Sequence, residues 1–140
     1  MPSKLHSRVQ SNLSFLLQLG YRDQYDFLSE LNLDLNSWES VPDIAIYPKM
    51  EYDYSRDEVR VTASPLCAIE ILSPTQSLQE LLNKAQEYFK HGVKSCWLAI
   101  PGLKNVYVFS NPQTYTMFQA SQTLTDPALG ISLDLGEVFK

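Results

Sequence analysis

Residues 66–72 read LCAIEIL, a nearly unbroken apolar run with a single carboxylate inside it. Apolar side chains on both parities suit a strand covered on both faces, in the middle of a sheet. A chain with such a strand must supply layers to either side of it. Glu70 is the exception in the run, because an ionised carboxylate among apolar groups must find a cation or shift its pKa. It calls for a metal ion, a lysine or arginine, or exposure at the strand's end. Ser73-Pro74 follow directly, so the strand stops soon after Glu70.

The flanking patterns supply the layers. Leu5, Val9, Leu13, Leu16 and Leu17 recur at helical spacing and stop before Gly20, predicting an opening helix of about four turns with His6 and Gln10 on its polar face. Residues 25–36 alternate, with Leu31, Leu33 and Leu35 set between Asn32 and Asp34, as in a strand with one wet face. A short strand follows over 43–47. Residues 49–60 are dense in Asp, Glu, Tyr and Arg and read as a solvated loop or hairpin, with Asp53 and Asp57 as surface charges. Ser77 and Glu80 then stand at capping-box spacing before a helix that turns Leu78, Leu81, Leu82, Ala85, Tyr88 and Phe89 to one face and stops at Gly92. Strands over 96–100, 106–109 and 115–118, joined by turns at Pro101-Gly102 and Asn111-Pro112, lead to a last strand over 131–135. This order predicts an α/β fold, a mixed sheet flanked by helices, within one domain spanning 1–140.

The chain has 140 residues, enough to bury roughly two-thirds of its unfolded surface without disulfides or a structural metal. Cys67 and Cys96 lie in apolar runs and form no CxxC pair, so both read as core thiols. The net charge is −5, and the eleven Lys and Arg are not clustered. That excludes a surface-wide polyanion clamp and leaves room for a local cleft. No run approaches the roughly 18 apolar residues of a membrane span, and no signal-peptide pattern opens the sequence, so a cytoplasmic protein without membrane contact is expected.

Three residues can carry chemistry. Asp43 follows Pro42 at a strand start, where Asp commonly caps a turn; if its strand neighbours that of Glu70, the two carboxylates can instead offer oxygens to a hard cation such as Mg²⁺. Lys84 lies one step outside the apolar stripe of its helix, between Leu81 and Tyr88. From there it is either an ordinary surface lysine or one whose stem runs along the sheet to the strand ends. Glu80 reads as the second half of the capping box. Tyr88, Phe89 and Trp97 read as core packing rather than as a base-stacking platform.

VPDIAIY (41–47), AIEILSPTQS (68–77) and NKAQEYFKHGVKSCWLAIP (83–101), with His6 ahead of them and GISLDLGEVF (130–139) behind, resemble the Uma family of putative restriction endonucleases. That bacterial family lies in the PD-(D/E)XK nuclease-like superfamily, and the likeness spans nearly the whole chain. It implies a restriction-endonuclease-like fold in which Asp43 is the superfamily's Asp and Glu70 its (D/E). The lysine expected two residues after that acid is replaced by Leu72; in the Uma group the lysine comes from the following helix, where Lys84 stands. Many relatives have Asp where this chain has Glu80.

The resemblance implies a catalytic set of Asp43, Glu70 and Lys84. Asp43, Glu70 and the Ile71 carbonyl would hold Mg²⁺, with Mn²⁺ as a substitute, for hydrolysis of DNA phosphodiester bonds. A homodimer would suit a nuclease that pairs its active sites across a two-fold axis. The alternative is a catalytically inactive nuclease-fold module for nucleic-acid or protein binding, favoured by the acidic balance and by Leu72.

Overall fold

The computed structural model describes residues 2–140. Its centre is a six-stranded mixed sheet of β1 (Tyr25–Ser29), β4 (Ile44–Pro48), β5 (Cys67–Ile71), β6 (Ser95–Ile100), β7 (Asn105–Asn111) and β8 (Thr114–Gln119), side by side in that order. Neighbours run antiparallel except β5 and β6, which are parallel. The parallel pair is joined by α2 (Leu78–Lys90), the helical crossover that such a connection requires.

β5 is buried at every position, as its apolar run requires, and so is β6 beside it. Alternate residues face opposite layers. Ile44, Ile46, Ile69, Ile71 and Trp97 meet Val9, Leu13 and Leu17 of α1 (Lys4–Tyr21) on one side. The hairpin of β9 (Thr123–Asp126) with β10 (Ile131–Asp134), and the short α3 (Leu135–Val138), complete that layer. Trp97 Nε1–H donates to the buried Asp126 at 2.8 Å, which ties the sheet to it. On the other side Ala45, Ala68, Cys96 and Leu98 meet Leu81, Ala85 and Tyr88 of α2. Full burial of side chains the size of Leu13 or Leu81 contributes about 1.5–3 kcal/mol each.

The two longer helices start at serine caps, of which Ser77 is predicted by its capping-box spacing. Ser77 Oγ accepts from Glu80 N–H at 3.2 Å, and Ser3 does the same for His6 N–H in α1. Gly92 follows α2 at φ 94°, a conformation that disfavours any side chain.

Two expectations need correction, the strand over 25–36 and the place of Leu78 in the apolar face of α2. The alternation over 25–36 does not form one strand: β1 ends at Ser29, and Glu30 turns the chain at φ 51°. Leu33 and Leu35 belong instead to β2 (Leu33–Leu35), which pairs with β3 (Trp38–Ser40) in a separate hairpin over the α2 side. Leu78, the first residue of α2, is exposed, and the buried face of the helix begins at Leu81. The segment 49–60 is a loop, as its composition predicts, and Asp53 and Asp57 are exposed in it. Cys67 and Cys96 are free, fully buried thiols whose pKa values burial pushes up, so neither is a reactive nucleophile.

Candidate functional site

β4 and β5 part where the ionisable residues gather. The last pair between the strands is Ile44 opposite Ile69, and one step further along that register stand Asp43 and Glu70. Both have the parity of Ala45 and Ala68 and so belong to the α2 side. Past the last pair, the Asp43 side chain replaces the ladder: Ile71 N–H donates to Asp43 Oδ2 at 2.7 Å. The same carboxylate thus closes off the strand ends and lines the cleft between them. The Asp43 backbone is held as well, its carbonyl accepting from Glu30 N–H at 3.1 Å and from Gln10 Nε2 at 3.2 Å.

His6 reaches this point from the first turn of α1. Its Nε2 lies 3.1 Å from Asp43 Oδ2, which assigns the ring proton to that nitrogen. The ring is buried, and its Nδ1 has no hydrogen-bond partner among the described residues.

α2 supplies the opposite wall. Lys84 Nζ lies 3.5 Å from Glu70 Oε1, with the side chain about a third exposed (32%) and the carboxylate almost wholly buried (3%). One helical turn later, Tyr88 O–H donates to Glu70 Oε2 at 2.8 Å, and its oxygen lies 2.7 Å from Ser40 Oγ of β3. His6, Glu30, Asp43, Glu70, Ser73, Gln76 and Lys84 together line a cleft of about 160 Å³. The structure therefore places Asp43, Glu70 and Lys84 in one cavity, with His6 and Gln10 beside them.

Burial dominates the electrostatics. It pushes Glu70 up to about 7; Lys84 and the Tyr88 hydroxyl oppose that shift, and the Asp43 charge adds to it. Asp43 is also raised by burial, against the pull of Ile71 N–H, His6 and Lys84. The Asp43 charge adds to the rise of Glu70, and the one lysine beside Glu70 is partly exposed and 3.5 Å away, so the pair leaves room for further positive charge.

That room, together with a donor set of hard oxygens, fits a small divalent cation. Mg²⁺ is commonly bound through one or two carboxylates, with water and substrate oxygens completing its shell. Asp43 and Glu70 provide that number. The described residues hold no cluster of three or more His, Cys, Asp or Glu suited to a metal, so a closed all-protein cage is not present.

Sequence reasoning missed the Tyr88 hydroxyl, Ser40 and Glu30. Tyr88 was legible in principle, since it lies four residues after Lys84 and so shares its helical face. Ser40 was not, because β3 was not predicted. Glu30 is marked only by a backbone conformation that sequence does not display.

No described helix is long and apolar enough to cross a membrane. None of the curated proteins compared with the chain matches it. Among solved structures, a crystal structure of a putative nuclease belonging to DUF820 from Anabaena variabilis is similar, with a TM-score of 0.84 and 23% identity over 99% of this chain and 82% of that one. This likeness shows the fold, a mixed sheet flanked by helices. Residues 1–136 match the model of the Uma2 family, described as a putative restriction endonuclease, and the chain belongs to that family.

Proposed function

We propose that the protein is a Mg²⁺-dependent endonuclease that hydrolyses DNA phosphodiester bonds, with Asp43, Glu70 and Lys84 as its catalytic residues. One observation carries the reading: a buried carboxylate on β5, a half-buried one at the approach to β4 and a lysine on α2 converge in one cleft where β4 and β5 diverge. Family membership supports it.

Asp43 and Glu70, with the Ile71 carbonyl, would hold the metal. When bound, Mg²⁺ supplies a Lewis acid for the scissile phosphate, and Mn²⁺ can substitute for it. Lys84, anchored beside Glu70, donates a hydrogen bond to the attacking water and offsets negative charge as the pentavalent phosphorus forms. His6 and Ile71 N–H fix the rotamer of Asp43, so its carboxylate is set before substrate arrives. A neighbouring groove of about 320 Å³ shares Glu30 with the cleft and is lined by Ser7, Gln10, Ser11 and Ser14 of α1, hydroxyls and an amide able to donate to phosphate oxygens. Cutting both strands calls for two such sites, so the proposed active form is a cytoplasmic homodimer.

The test is cleavage of supercoiled plasmid by the purified chain with Mg²⁺ or Mn²⁺, compared with Glu70→Gln and Lys84→Ala. Divalent-dependent nicking or linearisation that both changes abolish supports the assignment. Cleavage that survives both removes it.

The second reading, a binding module that keeps the fold without the reaction, is favoured by Leu72 in the usual lysine position and by the net charge of −5. Such a module shifts a DNA probe in a salt-dependent way without cutting it, or, if it binds protein, does neither.

A further inference from the structure

The geometry points to Tyr88 as a positioning residue: its hydroxyl, backed by Ser40, locks the Glu70 carboxylate so that a single oxygen, Oε1, faces the cleft. This inference rests on the metal-site reading of Asp43 and Glu70.

Packing explains the ring but not the hydroxyl. The Tyr88 ring is fully buried and meets Trp38 edge to face at 4.9 Å between centroids, a role phenylalanine fills equally well. The oxygen, however, lies between Glu70 Oε2 at 2.8 Å and Ser40 Oγ at 2.7 Å. A phenol has one hydrogen to give, and an ionised carboxylate only accepts. Tyr88 therefore donates to Glu70, and Ser40 donates to Tyr88. The two bonds form a directed chain from the β2–β3 hairpin to the cleft.

Lys84 and Tyr88, at i and i+4, present two donors from one face of α2 to the two oxygens of one carboxylate. Their grips are unequal. Tyr88 is buried and hydrogen-bonded on both sides, whereas Lys84 is partly exposed and stands 3.5 Å away. The lysine can yield its place near Oε1 to a cation. The tyrosine cannot turn without leaving Ser40, so Oε2 stays committed and the carboxylate does not rotate.

The experiment measures Mn²⁺ affinity of the full chain by electron paramagnetic resonance, without substrate, for wild type, Glu70→Gln, Tyr88→Phe, Ser40→Ala and the Tyr88→Phe/Ser40→Ala pair. Fold is checked by near-ultraviolet circular dichroism. Partners behind a metal ligand typically change affinity by about 10–100-fold, and that weakening is expected for Tyr88→Phe with the spectrum retained. Ser40→Ala is expected to weaken binding less, and to add nothing in the Tyr88→Phe background, because it acts through the same hydroxyl. Equal or tighter binding by Tyr88→Phe, with Glu70→Gln weakened, overturns the role of Tyr88 and leaves the metal site standing. Wild type and Glu70→Gln binding alike overturns the metal site and this inference with it. If Tyr88→Phe does not fold, Ser40→Ala decides: weakened affinity supports the chain of donors, and unchanged affinity overturns it.

Discussion

Ile71 N–H donates to Asp43 Oδ2 at the point where β4 leaves β5, so one carboxylate both ends a ladder and begins a cleft. Asp43 therefore has a structural bond to lose as well as a proposed ligand role. The most informative substitutions are those that keep its shape.

Asp43→Asn and Glu70→Gln preserve volume and remove one negative charge each. Divalent-dependent cleavage is expected to fall by at least about 10²–10³-fold in each, the scale typical of losing one electrostatic contact to a developing charge. A second readout separates chemistry from folding. At pH 8, saturating Mg²⁺ should raise the stability of the wild type by about 2.7 kcal/mol at one hundred times its Kd. Thermal unfolding of either variant should show little of that gain.

Lys84→Met keeps the aliphatic stem and deletes the ammonium. Turnover should fall by about 10²-fold while Mn²⁺ binding persists, since the lysine competes with a cation for Glu70 rather than holding it. The stability cost should be about 1 kcal/mol, because the pair is long and Lys84 is partly in solvent. Loss of Mn²⁺ binding together with turnover would count against the assigned division of labour.

Glu70 binds its proton more tightly in the folded chain, with its pKa pushed up to about 7 from an ordinary 4.5, chiefly by burial. Between those values the native state holds more protons than the unfolded one, so unfolding free energy falls as pH rises. The contribution is fully present below 4.5 and lost once pH passes about 7. Asp43, also raised by burial, adds to the decline. Urea titrations of metal-free protein from pH 5 to 8 should show it, and Glu70→Gln should flatten it. Asp26 acts in the opposite sense. Burial pushes its pKa up, but Lys49, Met50 N–H and the Tyr52 hydroxyl outweigh that and hold it below 3.8, so its contribution is lost only as pH falls beneath that range.

Trp97→Phe serves as a control on the face of the sheet opposite to that of Glu70. It removes the donor to Asp126 and leaves a buried carboxylate oxygen without that bond, at a cost of about 1–3 kcal/mol. Denaturant midpoints should drop by a corresponding amount. Cleavage per folded molecule should not change.

The sequence made the central sheet legible because burial on both faces leaves a pattern. LCAIEIL admits few readings, and the α2 stripe with its Ser77 cap and Gly92 stop is as plain. The hairpins were less legible. β2 and β3 are three residues each, too short for periodicity to outweigh the merged alternation over 25–36, and the break between β1 and β2 rests on the Glu30 backbone. β9 was missed for a similar reason, having four residues that alternate outside any longer run.

Within the cleft, Glu70 was conspicuous as a charge in the wrong place, and Lys84 as a cation beside an apolar stripe. His6 was visible as a polar residue on an amphipathic helix and as part of the family resemblance, able to approach the site from the first helix. Its contact with Asp43 depends on how α1 lies across the sheet, which no local pattern encodes. The spacing of Tyr88 predicts a core residue, and its ring is one, while its oxygen bonds Glu70.

The proposed cleft draws His6 from α1, Asp43 from the approach to β4, Glu70 from β5 and Lys84 from α2, and no two of these residues come from the same element. Any fragment that ends before α2, including a chain still being synthesised, holds the acids without the lysine. A hydrolase built this way withholds its reaction until the last of its parts has docked, so the assembly of the fold is itself the safeguard on the nucleic acid around it.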